Sequence, residues 1–176
     1  MVQLHDKTFE PYLSEKEIQE VVKRMASEMK ILEDQKPLFI VILKGSFIFA
    51  SDLVKALDYD VELCFMQLKS YEGTQSTGQI NDLMGLPKNI KGRTLVVIED
   101  IVDTGNTIEY LNQKLKEEQP QNIYYASLLL KPSVYKKSIS IDFIGKEIPN
   151  DFVVGYGLDY EELGRTLTQI YKLKNA

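Results

Sequence analysis

The sequence predicts an α/β protein with a central parallel β-sheet flanked by helices, and three observations carry that prediction. Wholly apolar, β-branched runs at 38–43 and 95–98 suit strands buried on both faces, the usual state of a parallel sheet. Helix-compatible stretches separate these runs, and such alternation builds strand-helix-strand units with right-handed crossovers. Short strands without intervening helices fill the C-terminal part, which adds an edge or a small hood.

The elements follow in order. Ser14 with Glu17 makes a capping box, and Ile18, Val21, Val22, Met25, Met29 and Leu32 recur behind it at helical spacing, so the first helix is an amphipathic packing helix. The strand at 38–43 runs into Lys44, Gly45 and Ser46 and then a second helical stretch ending near Leu57. A further strand is expected at 61–68, where the single Cys64 reads as a small buried hydrophobe. Residues 69–90 contain Gly73, Ser76, Thr77, Gly78, Gly85 and Pro87 with little apolar periodicity. They read as a long loop with a short hairpin, and loops of that length in compact domains are often functional. The central strand leads to a helix over 107–118, with Ile108, Leu111 and Leu115 on one face and Pro120 closing it. Residues 122–130 are strongly β-prone and end at Lys131-Pro132, and short strands and loops are expected in the remainder, including 139–144, 152–154 and 167–173.

At 176 residues the chain is expected to form one domain, 1–176, with a core that needs no disulfide or metal staple. One cysteine leaves no intramolecular disulfide. No secretory h-region opens the sequence and no apolar run approaches ~18 residues, so a cytoplasmic protein is expected, without a membrane partner. A net charge of −5 argues against a large nonspecific nucleic-acid surface. His5 is the only histidine and lies near a terminus expected to be mobile, so histidine catalysis and histidine-rich zinc sites have almost no material. Any general base is then a carboxylate.

The chemistry concentrates where the central strand ends, at Glu99-Asp100-Ile101-Val102-Asp103-Thr104-Gly105-Asn106-Thr107. Ligands of parallel sheets gather beyond the carboxyl ends of the strands. Short side chains, a glycine and a helix start are suited to phosphate, because a helix N-terminus carries unpaired N–H groups and a partial positive charge. Carboxylates just upstream would repel that phosphate and make sense as acceptors for sugar hydroxyls or as ligands of a hard cation such as Mg2+. An isolated D-T-G-x-T is more often a helix cap than a site. No G-x-x-x-x-G-K-[ST] is present, and Gly155-Tyr156-Gly157 lacks the third glycine and the helix of a dinucleotide fingerprint.

Together with Leu43-Lys44-Gly45, Ser70-Tyr71, Gln75 to Gly78, Ser127 to Lys131 and Phe152 to Tyr160, this run resembles the ordered motifs of 6-oxopurine phosphoribosyltransferases of the hypoxanthine-guanine type. The resemblance covers most of the chain. It implies the type I phosphoribosyltransferase fold, a parallel core with a small hood from the N- and C-terminal segments. It also implies a reaction in which a free purine displaces pyrophosphate from phosphoribosyl pyrophosphate, with Mg2+ as cofactor and a homodimer or homotetramer as the assembly.

By the same resemblance, Asp103, Thr104, Gly105, Asn106 and Thr107 hold the 5′-phosphate, and Glu99 and Asp100 face the ribose and a magnesium. Asp103 also accepts the purine N7 proton. Lys131 donates to the 6-oxo group, while Phe152 stacks on the base and Val153 meets its edge. Asp159 lies near a second magnesium. Leu43, Lys44 and Gly45, with a cis peptide before the lysine, join Arg165 on the pyrophosphate, and Ser70 and Tyr71 belong to a lid. The sequence departs from the pattern at Asn106, where relatives often carry lysine, and in 163–168. Read without the resemblance, Lys131 is a strand-end lysine and Phe152 or Val153 a core residue. Xanthine remains open as the preferred base, and a regulatory RNA-binding protein on the same fold remains open as the other class of function.

Overall fold

Six strands in the order β5-β4-β3-β6-β7-β8 form the main sheet of the computed structural model, which describes residues 1–70, 80–84 and 89–174. Strands β3 (Leu38–Leu43), β4 (Glu62–Ser70), β6 (Thr94–Val102), β7 (Asn122–Leu130) and β8 (Phe143–Glu147) are mutually parallel, and β5 (Ile80–Met84) adds to β4 antiparallel. The strands that become β3 and β6 are those with the purest apolar runs, as central positions require. Their side chains alternate. Phe39, Val41, Val96 and Ile98 join one core cluster, and Leu38, Ile40, Leu95 and Val97 join the other.

Helices α1 (Glu15–Met29) and α2 (Phe47–Ala56) cover the first face, and α3 (Asn106–Glu117) covers the second. The Ser14 capping box forms as its sequence spacing dictates, with the Glu17 carboxylate accepting from Ser14 N at 2.9 Å and Glu17 N donating to Ser14 Oγ at 3.3 Å. Leu32 continues the apolar stripe within a short 3-10 helix, Lys30–Gln35. Along α3, Ile108, Leu111 and Leu115 face inward as their spacing requires.

A second sheet, in the order β1-β2-β10-β9, is antiparallel and forms the hood from β1 (Val2–Leu4), β2 (Lys7–Leu13), β9 (Val153–Val154) and β10 (Ile170–Leu173). Its N-terminal half corrects the expectation of a loose terminus at His5. That residue turns the β1–β2 hairpin, with its Nε2 3.2 Å from the Glu161 carbonyl oxygen and its ring edge-on to Tyr160.

Two further expectations change. Cys64 is only partly buried, packing against the core cluster on the α3 face, and its neighbours Leu63 and Phe65 on the other face of β4 are 43% and 42% exposed. Within 139–144, read as short strand and loop, the strand begins only at Phe143. Ile139 and Ile141 pack against the core without pairing, and pairing with β7 starts at the Ala126–Phe143 register. Among the described residues, no helix is long and apolar enough to cross a membrane.

Candidate active site

The chain leaves β3 for β4 on one side of the sheet and β6 for β7 on the other, so the carboxyl ends of β3 and β6 mark a topological switch point. Crevices at such points are where open α/β sheets bind ligands. The loop after β3 and the end of β6 meet closely: a Cβ added to Gly45 would lie 1.9 Å from Asp100 Oδ2. On the other side of the same loop, a Cβ on Gly157 would lie 2.0 Å from the Gly45 carbonyl oxygen. Gly157 has φ +102, so both sterics and backbone conformation demand glycine there. The Leu43–Lys44 peptide is cis.

Beyond β6 the backbone turns through Asp103, Thr104 and Gly105 into α3. Gly105 has φ +83, and a Cβ there would meet the Tyr135 ring at 2.3 Å. Among the described residues, no side chain caps this end of α3. Its uncapped first turn borders a cavity of about 100 Å³ lined in part by Glu99, Asp103, Thr104, Gly105, Asn106 and Thr107. Uncapped N–H groups at a helix start beside a small polar cavity suit an anion.

Upstream stand two adjacent carboxyls. Burial pushes Glu99 well above the usual carboxylate range, and the neighbouring Asp100 charge adds to it. Burial also raises Asp100, to about 6, although backbone N–H groups and the Arg165 charge pull the other way. A hard divalent cation would relieve this pair, and magnesium commonly takes one or two protein carboxylates and completes its shell with water and phosphate oxygens. Glu99 and Asp100 therefore fit Mg2+. Among the described residues, no group of three or more His, Cys, Asp or Glu side chains is placed to enclose a metal.

Lys131 follows β7 and its N–H donates to the Val102 carbonyl at 2.9 Å, which sets it beside the end of β6. Its side chain is buried, with 6% of the residue exposed, and Nζ donates to Asp103 Oδ2 at 3.0 Å. The sequence neighbours Phe152, just before β9, and Val153, its first residue, differ in burial. Val153 is in the core, whereas Phe152 is 44% exposed and meets Tyr160 edge-on at 5.9 Å between ring centres.

On the hood side, Arg165 reaches back to the site. It donates to the Gly157 carbonyl at 2.9 Å and pairs with Asp159 at 2.8 Å and Glu162 at 3.2 Å. Its Nε is buried without a hydrogen-bond partner among the described residues, a donor of the kind a bound oxyanion would satisfy. Lys44 Nζ pairs with Glu162 at 2.8 Å.

Asp100 meets the glycine of the Lys44 loop, Asp103 meets Lys131, and Asp159 meets Arg165. Ser70 ends β4 with its side chain outside the described set, and Tyr71 lies outside the described residues altogether. Sequence reading missed Glu162, which has no motif of its own. It also missed the anchor of this hood segment, the buried Tyr156, whose hydroxyl donates to Asp52 on α2 at 2.8 Å. The Asp52 carboxylate also accepts from Gln19 on α1 at 2.9 Å.

Residues 10–161 match the phosphoribosyl transferase domain family. The hypoxanthine-guanine phosphoribosyltransferase of Staphylococcus aureus is 39% identical over 173 residues, covering 97% of both chains. That of Bacillus subtilis is 42% identical over 166 residues, 93% of this chain and 92% of the relative. A crystal structure of a Staphylococcus aureus hypoxanthine phosphoribosyltransferase superposes with a TM-score of 0.88 at 37% identity, covering 97% of this chain and 94% of the other. The hypoxanthine phosphoribosyl transferase of Trypanosoma cruzi superposes with a TM-score of 0.87 at 31% identity, covering 98% and 95%.

Proposed function

The chain belongs to the phosphoribosyltransferase family, and from that premise we propose that it is a purine-salvage pentosyltransferase of the hypoxanthine-guanine type, read as one domain over 1–176. It transfers the 5-phosphoribosyl group of phosphoribosyl pyrophosphate to N9 of hypoxanthine or guanine, giving IMP or GMP and pyrophosphate. The observation that carries this reading is the buried Lys131 ammonium 3.0 Å from Asp103, at the mouth of an uncapped helix start. A 6-oxo reader, an acid-base carboxylate and a phosphate cradle then share one end of the sheet.

In this reading the 5′-phosphate rests against the first turn of α3, with the Thr104 and Thr107 hydroxyls and the backbone of Asp103, Gly105 and Asn106. Glu99 and Asp100 accept from the ribose hydroxyls and would hold Mg2+, with Asp159 near a second, pyrophosphate-bound ion, through water or directly. Magnesium, when bound, offsets the charge of the departing pyrophosphate. Lys44 and Arg165 hold that pyrophosphate by charge, and the backbone of Leu43, Lys44 and Gly45 holds it by hydrogen bonds.

The base stacks on Phe152 and meets the Val153 backbone at its edge. Lys131 donates to the 6-oxo oxygen, and a 6-amino group would face donor with donor, so adenine is rejected. As the C1′–oxygen bond to pyrophosphate breaks and the N9–C1′ bond forms through an oxocarbenium-like transition state, the N7 proton passes to Asp103. Ser70 and Tyr71 belong to a lid that excludes water from that step.

Exposed apolar side chains at Phe47 on α2 and at Leu63 and Phe65 on β4 support a homodimer or homotetramer. The cytoplasm is the proposed location, with no nucleic acid or membrane as partner. The test is pyrophosphate release from phosphoribosyl pyrophosphate and Mg2+, with hypoxanthine, guanine, xanthine and adenine offered separately. Turnover is expected with the first two and not with adenine. Silence with all four by a folded protein would overturn the reading in favour of a binding protein.

A further inference from the structure

The two cations assigned to pyrophosphate already share an anion. Glu162 Oε1 accepts from Lys44 Nζ at 2.8 Å, and Glu162 Oε2 lies 3.2 Å from Arg165 Nη2. We propose that Glu162 is an affinity-determining residue of the pyrophosphate subsite, its carboxylate standing in for a phosphate between Lys44 and Arg165 so that pyrophosphate binds by exchange. The inference rests on reading Lys44 and Arg165 as pyrophosphate ligands.

The local fold does not need this carboxylate. Glu162 contributes its N–H to Asp159 Oδ2 at 2.8 Å, and the turn is closed by paired backbone bonds between Tyr160 and Leu163 at 2.9 and 3.1 Å. Arg165 is independently held by Asp159 and by the Gly157 carbonyl. For Lys44, in contrast, Glu162 is the partner among the described residues, and the contact spans from the hood to the loop after β3.

Glu162 is also poised to leave, since its side chain is 65% exposed and its backbone is fixed at φ +67 whatever the carboxylate does. The two cations keep its carboxyl below the ordinary range, so it competes as a full anion. Tethered on the same chain, it competes at a high effective concentration that simple anions do not match. A magnesium-bearing diphosphate, with several charges, does.

The experiment measures pyrophosphate binding in Mg2+ by titration calorimetry, and as product inhibition against phosphoribosyl pyrophosphate, for wild type, Glu162→Gln and Glu161→Gln. Glu161 is the control. It sits in the same turn with φ +48 and loses the same charge on substitution, but it faces His5 rather than the two cations. Glu162→Gln is expected to tighten pyrophosphate about two- to tenfold, the range two exposed ion pairs cover. KM for phosphoribosyl pyrophosphate should fall in parallel, while Glu161→Gln stays within about twofold of wild type.

Unchanged or weaker binding in Glu162→Gln overturns the inference, as does an equal gain in both variants, which would reflect net charge alone. Wild type that neither binds pyrophosphate nor turns over would instead overturn the assignment of the subsite itself.

Discussion

Replacing Lys131 with methionine removes one charge-assisted donor from the proposed base pocket while keeping a side chain of similar length and apolar bulk. The ammonium is buried and its partner, Asp103, has a side chain 47% exposed, so water can take over the carboxylate once the lysine is gone. Replacing a buried cation by an apolar residue of similar volume is then close to neutral for folding. Binding should behave differently. A hydrogen bond from a charged donor contributes about 1.5–3 kcal/mol, which at about 1.36 kcal/mol per decade is about 10- to 150-fold. That loss should fall on kcat/KM for hypoxanthine and guanine, whose 6-oxo oxygen loses its donor, and adenine should become no worse a substrate. The assay is kcat/KM for the three bases at saturating phosphoribosyl pyrophosphate, beside a thermal melt. An unchanged ratio of hypoxanthine to adenine in a folded variant would refute the assignment, and a collapse in Tm would reduce Lys131 to a structural role.

Asp103→Asn should keep KM for phosphoribosyl pyrophosphate and lower kcat by about 10²- to 10⁴-fold; unaltered kcat would remove Asp103 as the base. Gly45→Ala puts a methyl within 1.9 Å of Asp100 Oδ2, so loop or carboxylate must move. Activity should fall by about 100-fold with an unchanged circular dichroism spectrum, and wild-type kinetics would contradict the close approach. Tyr156→Phe removes the hydrogen bond to Asp52, which retains Gln19 and Lys55. A loss of about 1–2 kcal/mol, or about 2–8 °C in Tm, is expected, and a melt within error of wild type would show the bond contributes nothing. The carboxyl pair gives a pH dependence whose sign follows from both groups being raised. They hold protons more tightly folded than unfolded, so their stabilisation is full below about pH 4 and is lost as pH climbs through about 6, where Asp100 ionises in place. Asp100→Asn should flatten that fall, and the gain in Tm on adding Mg2+ should grow over the same interval. Parallel melts of both proteins across pH check this, and identical slopes would sink it.

Much of the fold was legible because each buried strand carries its own signal. The runs at 38–43 and 122–130 need no partner to be read, and the Ser14 box and the Ile108, Leu111, Leu115 stripe fix their helices locally. The hood hairpin was not legible. Pro11 lies within β2 opposite Tyr171, at a register shift in the β10 pairing, and a proline normally argues against an inner strand. Within 139–144 strand and loop could not be separated for a related reason: the apolar spacing gave the packing of Ile139 and Ile141 but could not locate the pairing that begins at Phe143. At the site, the residues of the β6–α3 turn were readable because one segment supplies them all. Glu162, Asp52 and Tyr156 were not, since each acquires its role from a partner on another element.

That division has a physical cause in how the switch point is assembled. The Lys44 loop is pressed between Asp100 of the sheet and Gly157 of the hood, and it passes both only because residues 45 and 157 lack side chains. Gly157 is held there by its neighbours: its N–H donates to the Arg165 carbonyl at 2.9 Å, its carbonyl accepts from Arg165 Nη1, and Tyr156 ties the segment to α2. Any change that lifts the hood therefore releases the loop from its packing against Asp100 and separates Arg165 from Lys44 at the same time. Hood position, carboxylate geometry and the charge of the anion subsite are coupled through one strip of backbone. Substitutions at Asp52 or Tyr156 should for this reason register in KM for phosphoribosyl pyrophosphate, and in KM for the base as well, because Phe152 and Val153 lie on the same hood segment.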